Sequence, residues 1–369
     1  MKKVLDVMPY QYLPYFSGGQ KSIAQFLDYL GQETELSVIT VPGNDEKIAL
    51  SYRLFPMLKK GAAKYYDFSM VSKLADFVKN NQIETIVWEH PYYAWLAFSV
   101  RKRTGVKTIF HTHNIEYQRF KSLGKWWWPI LKVYEKWAFK KADTLFFIAP
   151  EEKSFAVNQW KINPAKCKTV PFGVPVKENP ADREECSTKV RALHQISPEE
   201  KILLFNGLLS YQPNLDALKY ILDHINPLLE KAVDFRYRIV ICGKGLPSDM
   251  NELKNYQSHN VVYAGFVDDI EMYFKAADIF LNPVQTGGGI KTKMVEAIAY
   301  GTTVVATESG AAGIEREACG DKLNVVPNSD WKSFSEAVVK ASSVKTATPA
   351  SYYKTYYWGE IAKSAEEMM

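Results

Sequence analysis

A run of glycines and lysines in the last third of the chain has the composition of an anion-binding loop. Residues 282–297 read NPVQTGGGIKTKMVEA, so Gly287, Gly288 and Gly289 precede a segment with helical periodicity. Glycines let a backbone approach a ligand closely, and the first N–H groups of a helix have no partner within it, which suits phosphate. A plain tight turn is the alternative for such a loop taken alone, and neither common phosphate-binding pattern is present.

Charged residues after the glycines extend this interpretation from phosphate to a nucleotide. Lys291 and Lys293 can neutralise a diphosphate, and Lys291 is favoured because it is nearer the start of the helix. Glu296 can accept hydrogen bonds from the hydroxyl groups of the same ligand. The sequence therefore predicts a diphosphate site with a carboxylate beside it.

Two histidines follow a predicted strand in the first half of the chain. His111 and His113 are two residues apart, so both point to one side if the strand continues. We expect one of them to have a positioned polar or acid–base role and the other to be structural, with His90 as a weaker third candidate. A metal site is the less favoured alternative, because zinc needs three or four ligands and no third ligand is near in the sequence.

Apolar runs alternate with helical patterns along the whole chain, which predicts parallel sheets covered by helices. The predicted strands are 3–8, 36–41, 84–88, 106–111, 144–148 and 168–170, then 202–206, 237–242, 261–264, 279–282, 303–306 and 323–326. Two such series in 369 residues predict two Rossmann-like domains. Residues 1–172 and 352–369 are assigned to the first domain and residues 173–351 to the second, with 171–200 as the connector.

Four strands of the second domain run into loops that contain glycine. These loops hold Gly207, Gly243 with Lys244, Gly265 to Val267, and Gly287 to Gly289. Parallel strands end at one edge of their sheet, so four such loops together predict a pocket. Gly18 and Gly19 follow the first strand of the first domain in the same way, although a plain turn is an equal alternative there.

Composition excludes several classes of protein. The chain is 47% hydrophobic and 24% charged, as in ordinary globular proteins, and its net charge of +5 is too small to indicate nucleic-acid binding. The four cysteines have no C-x-x-C spacing, which predicts unpaired cytosolic thiols. The N-terminal apolar run is too short for a signal peptide and no run is long enough to span a membrane, so the predicted location is cytoplasmic.

An aromatic and basic segment leaves a peripheral membrane contact open as an alternative. Trp126, Trp127 and Trp128 are followed by a series of lysines up to Lys141. Such residues at the start of a helix can bind a membrane surface. We favour the interpretation in which the three tryptophans pack into the first domain or into the acceptor cleft.

The order and spacing of the motifs in the second half resemble one enzyme family. The matching residues are Gly207 with Pro213-Asn214-x-Asp216-Ala217, Gly243-x-Gly245, Gly265-Phe266-Val267, Tyr273-x-x-Ala276-Ala277-Asp278, Gly289-Ile290-Lys291-x-Lys293 and Glu296-Ala297-x-Ala299-x-Gly301. The first half matches more loosely, at Gly18-Gly19 and at His113-Asn114-x-Glu116. In these residues the chain resembles the group-1, family 4-like, retaining glycosyltransferases of the GT-B fold.

The resemblance implies a fold and a reaction. The implied fold is GT-B, an α/β architecture of two Rossmann-like domains facing each other across a cleft, with a C-terminal helix that returns to the first domain. The implied reaction moves a sugar, with retention, from a UDP- or GDP-linked donor to a glycan or lipid-linked acceptor in surface polysaccharide or glycoconjugate synthesis. The second domain binds the nucleotide sugar, the first binds the acceptor, and no metal or other cofactor takes part.

The resemblance also implies roles for individual residues. Catalytic roles fall to His113, at the position of the family's cleft histidine, and to Lys291, which stabilises the leaving diphosphate. Donor contacts are implied for Gly18, Gly19, Gly207, Gly243, Lys244, Val267, Gly287, Gly288, Gly289, Ile290, Lys293 and Glu296, the last through the ribose hydroxyls. Acceptor-side positions are His90, His111, Asn114 and Glu116.

Two departures from the family keep alternatives open. The family often has a glutamate that contacts the transferred sugar at the position of Gly288, and a basic pair where Leu208 to Gln212 has none. A non-catalytic GT-B scaffold that binds a partner transferase or a glycan is therefore one alternative. A nucleotide-sugar epimerase is the other, and it is disfavoured because no pair of acids is evident to handle a proton at a sugar carbon.

Overall fold

Apolar runs in both halves of the chain form parallel sheets. The computed structural model describes residues 1–15, 18–287 and 289–369. The chain divides into two compact units. Unit 1 is Met1–Pro175 with Trp358–Met369, and unit 2 is Val176–Tyr357. The sequence predicts that the second domain ends before Tyr352, six residues earlier than unit 2 ends in the structure. The hydroxyl groups of Tyr352 and Tyr353 donate to backbone carbonyls of unit 2, which explains why this segment belongs there.

The sheet of unit 1 has seven parallel strands in the order β3-β2-β1-β4-β5-β6-β7. They are β1 (Lys3–Met8), β2 (Glu35–Thr40), β3 (Arg53–Phe55), β4 (Thr85–Glu89), β5 (Lys107–Thr112), β6 (Thr144–Phe147) and β7 (Cys167–Thr169). All the predicted strands of this half are present within one or two residues. The added strand β3 lies at the edge, where only one neighbour pairs with it.

Helices cover this sheet through apolar stripes. They are α1 (Gly18–Glu33), α2 (Met70–Asn81), α3 (Ala94–Thr104), α4 (Glu116–Ser122), α5 (Trp128–Lys141) and α6 (Pro150–Trp160), with 3₁₀ turns at Glu46–Ile48, Gly61–Tyr66, Pro91–Tyr93 and Pro164–Lys166. In α2 the buried residues Met70, Leu74 and Val78 recur every four positions, which is the spacing of one helix face. Among the described helices, none has the length and apolarity needed to cross a membrane.

The sheet of unit 2 has six parallel strands in the order β10-β9-β8-β11-β12-β13. They are β8 (Lys201–Asn206), β9 (Tyr237–Cys242), β10 (Val261–Gly265), β11 (Ile279–Asn282), β12 (Thr303–Thr307) and β13 (Leu323–Val326). The helices are α7 (Arg183–His194), α8 (Gln212–Tyr220), α9 (Asn226–Leu229), α10 (Ile270–Ala276), α11 (Thr292–Ala299), α12 (Arg316–Cys319), α13 (Trp331–Ala341) and α14 (Ala350–Tyr356). A π-helical turn, Ile221–Ile225, joins α8 to α9, and 3₁₀ turns occupy Ser248–His259 and Gly320–Lys322.

The predicted connector is wrong where it includes α7. This helix is rich in charge and buries only Cys186 and Val190, so its apolar pattern is weak. Arg183 fixes it to unit 2, because its guanidinium donates to the carbonyls of Lys275, Ala277 and Gly301. A polar side chain, not an apolar stripe, therefore anchors the start of this helix.

The C-terminal helix α15 (Trp358–Glu366) packs within unit 1, as predicted. The Trp358 side chain is buried, and its indole N–H donates to Gln25 of α1 over 3.0 Å. A Cβ atom at Gly173 would lie 2.5 Å from the Trp358 ring. Any side chain at position 173 would therefore displace α15 from its packing position.

A buried carboxyl group joins α4 to α5 and generates a pH prediction. Glu135 of α5 accepts hydrogen bonds from the N–H groups of Glu116 and Tyr117, at 2.8 and 3.1 Å, at the start of α4. Burial raises the pKa of Glu135 from 4.5 to about 8. Its contribution to stability is therefore complete below about pH 4.5 and is lost as the pH rises through about 8.

The substitution Glu135→Gln keeps an acceptor oxygen and removes this titration. We expect the melting temperature of the variant to fall less than that of the wild type between pH 6 and pH 9, as measured by circular dichroism. Glu33→Gln, which changes an exposed residue of α1, should follow the wild-type curve. Identical pH slopes for the wild type and Glu135→Gln would contradict the prediction.

Candidate functional site

Acidic and histidine side chains meet at the carboxyl ends of three neighbouring strands in unit 1. Glu89, the last residue of β4, is in register with His111 of β5. Asp6 of β1 is in register with the residue two before Glu89, so Asp6 and Glu89 share a face of the sheet. His113 follows β5 directly. The strand order thus brings two acids and two histidines to one place.

The carboxylate of Glu89 is shared between two histidines. Its Oε1 atom lies 2.9 Å from Nδ1 of His111, and its Oε2 atom contacts Nε2 of His113. Burial opposes the ionisation of Glu89, but the charges and hydrogen bonds of the two histidines outweigh it and lower the pKa of Glu89. Glu89 is thus a buried anion that fixes both rings.

The neighbouring Asp6 responds in the opposite direction. It is fully buried, and burial followed by the charge of Glu89 raises the pKa of Asp6 well above its ordinary value. A proton is therefore held more readily by Asp6 than by Glu89, which has the histidine partners.

His90 forms the other side of the cluster. Its backbone φ of +69° is unusual for a residue other than glycine and marks a constrained position. The ring stacks between His113 and Tyr92, with centroid distances of 4.5 and 5.3 Å, and its Nδ1 lies 3.0 Å from Glu116. Burial opposes ionisation, yet this close contact with His90 lowers the pKa of Glu116 to about 2.

A small pocket opens beside this cluster within unit 1. Its lining is Ser22, Ile23, Phe26, Glu89, His111, His113, Ile148, Val170, Pro171 and Trp358. His113 retains an exposed side-chain fraction of 17%, against 6% for His111. His113 is therefore the histidine that a ligand can reach more readily, and Asn114 beside it is half-buried.

Gly18 and Gly19 are the first residues of α1, whose next turn lines the pocket. A Cβ atom at Gly19 would have no neighbour within 4 Å. Packing within the protein therefore does not require this glycine. Residues 16 and 17 lie outside the described part of the chain.

The cluster supplies the third ligand that the sequence argument against a metal did not find. One ligand atom from each of Glu89, His111 and His113 lies within 4.8 Å of the other two. Two imidazoles and a carboxylate are ligands of zinc and related ions. Hydrogen bonds from both rings to Glu89 satisfy the same atoms without an ion.

In unit 2 the four glycine loops lie at one sheet edge, as predicted. They follow β10, β9, β8 and β11, which are consecutive neighbours in the sheet. A Cβ atom at Gly243, where φ is +149°, would lie 1.9 Å from the carbonyl oxygen of Gly207. The N–H of Gly243 donates to the carbonyl of Gly265 over 2.7 Å. Direct contact between loop backbones is what requires glycine at position 243.

The lysines near the last of these loops have separate partners. Lys291 caps the start of α11, and its ammonium group donates to the carbonyls of Gly287 and Gly289 at 2.9 and 3.0 Å. Lys293 instead lies 3.0 Å from the buried carboxylate of Glu296. Burial lowers the pKa of Lys291. Lys291 therefore belongs to the loop and Lys293 to the carboxylate.

Other predicted donor residues lie around the same edge. Gly288 lies outside the described residues, and Ile290 follows directly after the described Gly289. Lys244 has its ammonium group 5.7 Å from the ring centroid of Phe266, an exposed residue next to Val267. The loop ends after β9 and β10 thus approach each other.

Comparison with protein families gives one match in each unit. Residues 16–178 match the family described as Glycosyltransferase Family 4, and residues 200–343 match the family described as Glycosyl transferases group 1. The two matched ranges include the histidine cluster and the glycine loops respectively.

Two uncharacterized glycosyltransferases of Methanocaldococcus jannaschii are similar in sequence. One is 31% identical over 189 residues, which cover 46% of this chain and 44% of the relative, so less than half of that relative is spanned. The other is 21% identical over 340 residues, which cover 83% of this chain and 81% of the relative.

Among solved structures, HepE of Anabaena in complex with UDP has a TM-score of 0.70 at 15% identity, covering 99% of this chain and 98% of HepE. Sucrose-phosphate synthase of Thermosynechococcus elongatus has a TM-score of 0.68 at 15% identity, covering 100% of this chain and 98% of the synthase. At such identities the likeness shows the fold alone, and it confirms the predicted GT-B class.

The shared carboxylate generates a stability prediction. Glu89→Gln replaces one acceptor oxygen with an amide that faces a histidine N–H, so one charge-assisted hydrogen bond is lost. We expect a loss of about 2 kcal/mol and a fall in melting temperature of about 4–8 °C at pH 7. Glu33→Gln should change the melting temperature by less than about 2 °C, as exposed substitutions do.

Zinc addition separates the hydrogen-bonded arrangement from a metal site. We expect equimolar zinc to leave the melting temperature of the wild type unchanged after treatment with a chelator. A zinc-dependent increase that Glu89→Gln abolishes would instead identify Glu89, His111 and His113 as metal ligands.

Proposed function

The chain belongs to the group 1 glycosyltransferases, and we propose that it transfers a sugar, with retention and without a metal, from a UDP- or GDP-linked donor. The proposed acceptor is a glycan or a lipid-linked glycan in surface polysaccharide or glycoconjugate synthesis. In this proposal unit 2 binds the donor and unit 1 binds the acceptor. The observation that carries it is the shared sheet edge of unit 2, where four glycine loops meet Lys291 and Glu296.

The chemistry demands stabilisation of a leaving diphosphate. Without a metal, fixed hydrogen-bond donors must meet that charge, and such preorganised donors usually contribute more to catalysis than any other single effect. Lys291 is held by two carbonyls at the start of α11, where backbone N–H groups of the first helical turn can add hydrogen-bond donors. A phosphate would exchange these neutral partners for an anion and would favour the charged lysine.

The nucleoside end of the donor is assigned to Glu296. This carboxylate is buried, and Lys293 holds it at 3.0 Å, so its position is fixed before a ligand binds. A carboxylate accepts two hydroxyl hydrogen bonds, which matches the neighbouring hydroxyl groups of a ribose. HepE, a protein of the same fold, was crystallised with UDP and with UDP-glucose, which supports a nucleotide sugar as the ligand class.

His113 is proposed as the polar group that unit 1 contributes to the reaction. When Nε2–H of a neutral His113 ring donates to Glu89, Nδ1 is the acceptor nitrogen. An acceptor nitrogen can orient a sugar hydroxyl by accepting its hydrogen bond. Stacking on His90 fixes the plane of the ring, so Glu89 and His90 act as positioning residues.

The donor assignment is tested by thermal unfolding with a panel of UDP- and GDP-sugars in the presence of EDTA. We expect one nucleotide class to raise the melting temperature. Glu296→Ala should lower the affinity for that nucleotide at least about tenfold, because a charged acceptor of hydroxyl hydrogen bonds is lost. Glu308→Ala, at an exposed position of unit 2, is the matched control. No response to any nucleotide would refute the donor site, and binding without turnover across a broad acceptor panel would favour the scaffold alternative.

The role of His113 is tested by comparing turnover with donor affinity. We expect His113→Ala to lower kcat by about 100-fold or more while the donor Kd changes less than about threefold. His259→Ala, at an exposed histidine of unit 2, should leave both quantities unchanged. A large loss of donor affinity with normal kcat would reject the proposed role.

A further inference from the structure

We infer that the α4–α5 hairpin, residues 116–141, binds the surface of an anionic lipid bilayer through an exposed apolar patch. The lipid patch consists of Leu123, Trp126, Ile130 and Val133, whose exposed fractions are 57%, 82%, 66% and 71%. Ile130 and Val133 lie one turn apart on α5, and the other two lie in the connection between the helices. Four large apolar side chains within eleven residues are therefore held in water.

The neighbouring tryptophans show that this exposure is selective. Trp127 packs with its ring centroid 4.5 Å from Phe120, and Trp128 packs 6.2 Å from Tyr117. Packing within the first domain, one part of the favoured interpretation of the sequence, is therefore wrong for Trp126. Internal packing accounts for two of them and leaves the third without a structural role in unit 1.

The charge around the patch has one sign. Residues 119–141 contain seven lysines and arginines and one acid, a net charge of 7 − 1 = +6, against +5 for the whole chain. The acid is Glu135, which is fully buried. Within this completely described segment, every charged side chain outside the core is therefore positive. A surface of this kind attracts anionic lipid headgroups.

The arrangement of the lysines favours a bilayer over a protein partner. Lys121 and Lys132 have their ammonium groups 5.0 and 5.3 Å from the ring centroids of Trp128 and Tyr117. Positive charge and aromatic surface therefore adjoin beside the patch. Apolar tips among ammonium groups match the boundary between headgroups and acyl chains. A second copy of this chain would bring like charges together.

The hairpin is joined directly to the histidine cluster. Its first residue, Glu116, lies 3.0 Å from His90. Bilayer binding through the patch would bring unit 1 to the place where a lipid-linked acceptor resides. Only this consequence rests on the proposed function, because bilayer binding itself requires no donor.

The test is sedimentation of the full chain with vesicles, without nucleotide, at 0.15 M salt. Vesicles are phosphatidylcholine alone or phosphatidylcholine with 30% phosphatidylglycerol. We expect binding to the anionic vesicles only. Trp126→Ser/Ile130→Ser/Val133→Ser should reduce it at least about tenfold, and Lys125→Gln/Lys136→Gln/Lys140→Gln by about fivefold for each lysine.

Two controls distinguish binding through the lipid patch from non-specific apolar binding and from misfolding. Leu193→Ser/Val233→Ser removes exposed apolar surface from unit 2 and should bind like the wild type. If the serine variant of the patch unfolds, the glutamine variant decides, because it changes only lysine side chains of the surface.

Three results would overturn the inference. They are no binding of the wild type to anionic vesicles, equal binding to phosphatidylcholine, and a patch-dependent dimer on size exclusion in place of vesicle binding. Nucleotide protection of the same variants is measured separately, so a failure of bilayer binding does not count against the donor site, nor the reverse.

Discussion

Parallel strand pairing is the constraint on which both candidate sites depend. A parallel strand must be followed by a crossover, so every carboxyl end in one sheet lies at the same edge. In unit 1 that edge gathers Asp6, Glu89 and His111 from three neighbouring strands. In unit 2 it gathers four glycine loops. Residues far apart in sequence meet because their strands are neighbours in the sheet and end at the same edge.

The same constraint explains what could be predicted of the fold. Buried parallel strands are continuous apolar runs, so the twelve predicted strands are present with ends shifted by only one or two residues. The three-residue edge strand β3 is half-exposed and has no such run. Helix α7 has the composition of a connector because Arg183, a charged residue, anchors it.

Side-chain partners are harder to predict than strands. Glu89 is absent from the predicted site, although its sequence signal is visible: a carboxylate ends a strand that is otherwise apolar. Its histidine partners are 22 and 24 residues away, and no local pattern encodes that pairing. The preference for Lys291 over Lys293 as the diphosphate ligand stays a prediction. The ion pair between Lys293 and Glu296 depends on the geometry of α11, which begins at Thr292.

The two edges differ in charge, and this difference fits a division of labour between the units. The edge of unit 1 holds two buried carboxylates, Glu89 and Glu116, whose pKa values are lowered, and burial lowers the pKa of His90. Carboxylates are poor neighbours for a diphosphate but accept hydrogen bonds from neutral hydroxyl groups. The loop of Lys291 offers the reverse, a cation and a helix start. This contrast supports the proposed assignment of the diphosphate to unit 2 and of sugar hydroxyl groups to the cluster of unit 1.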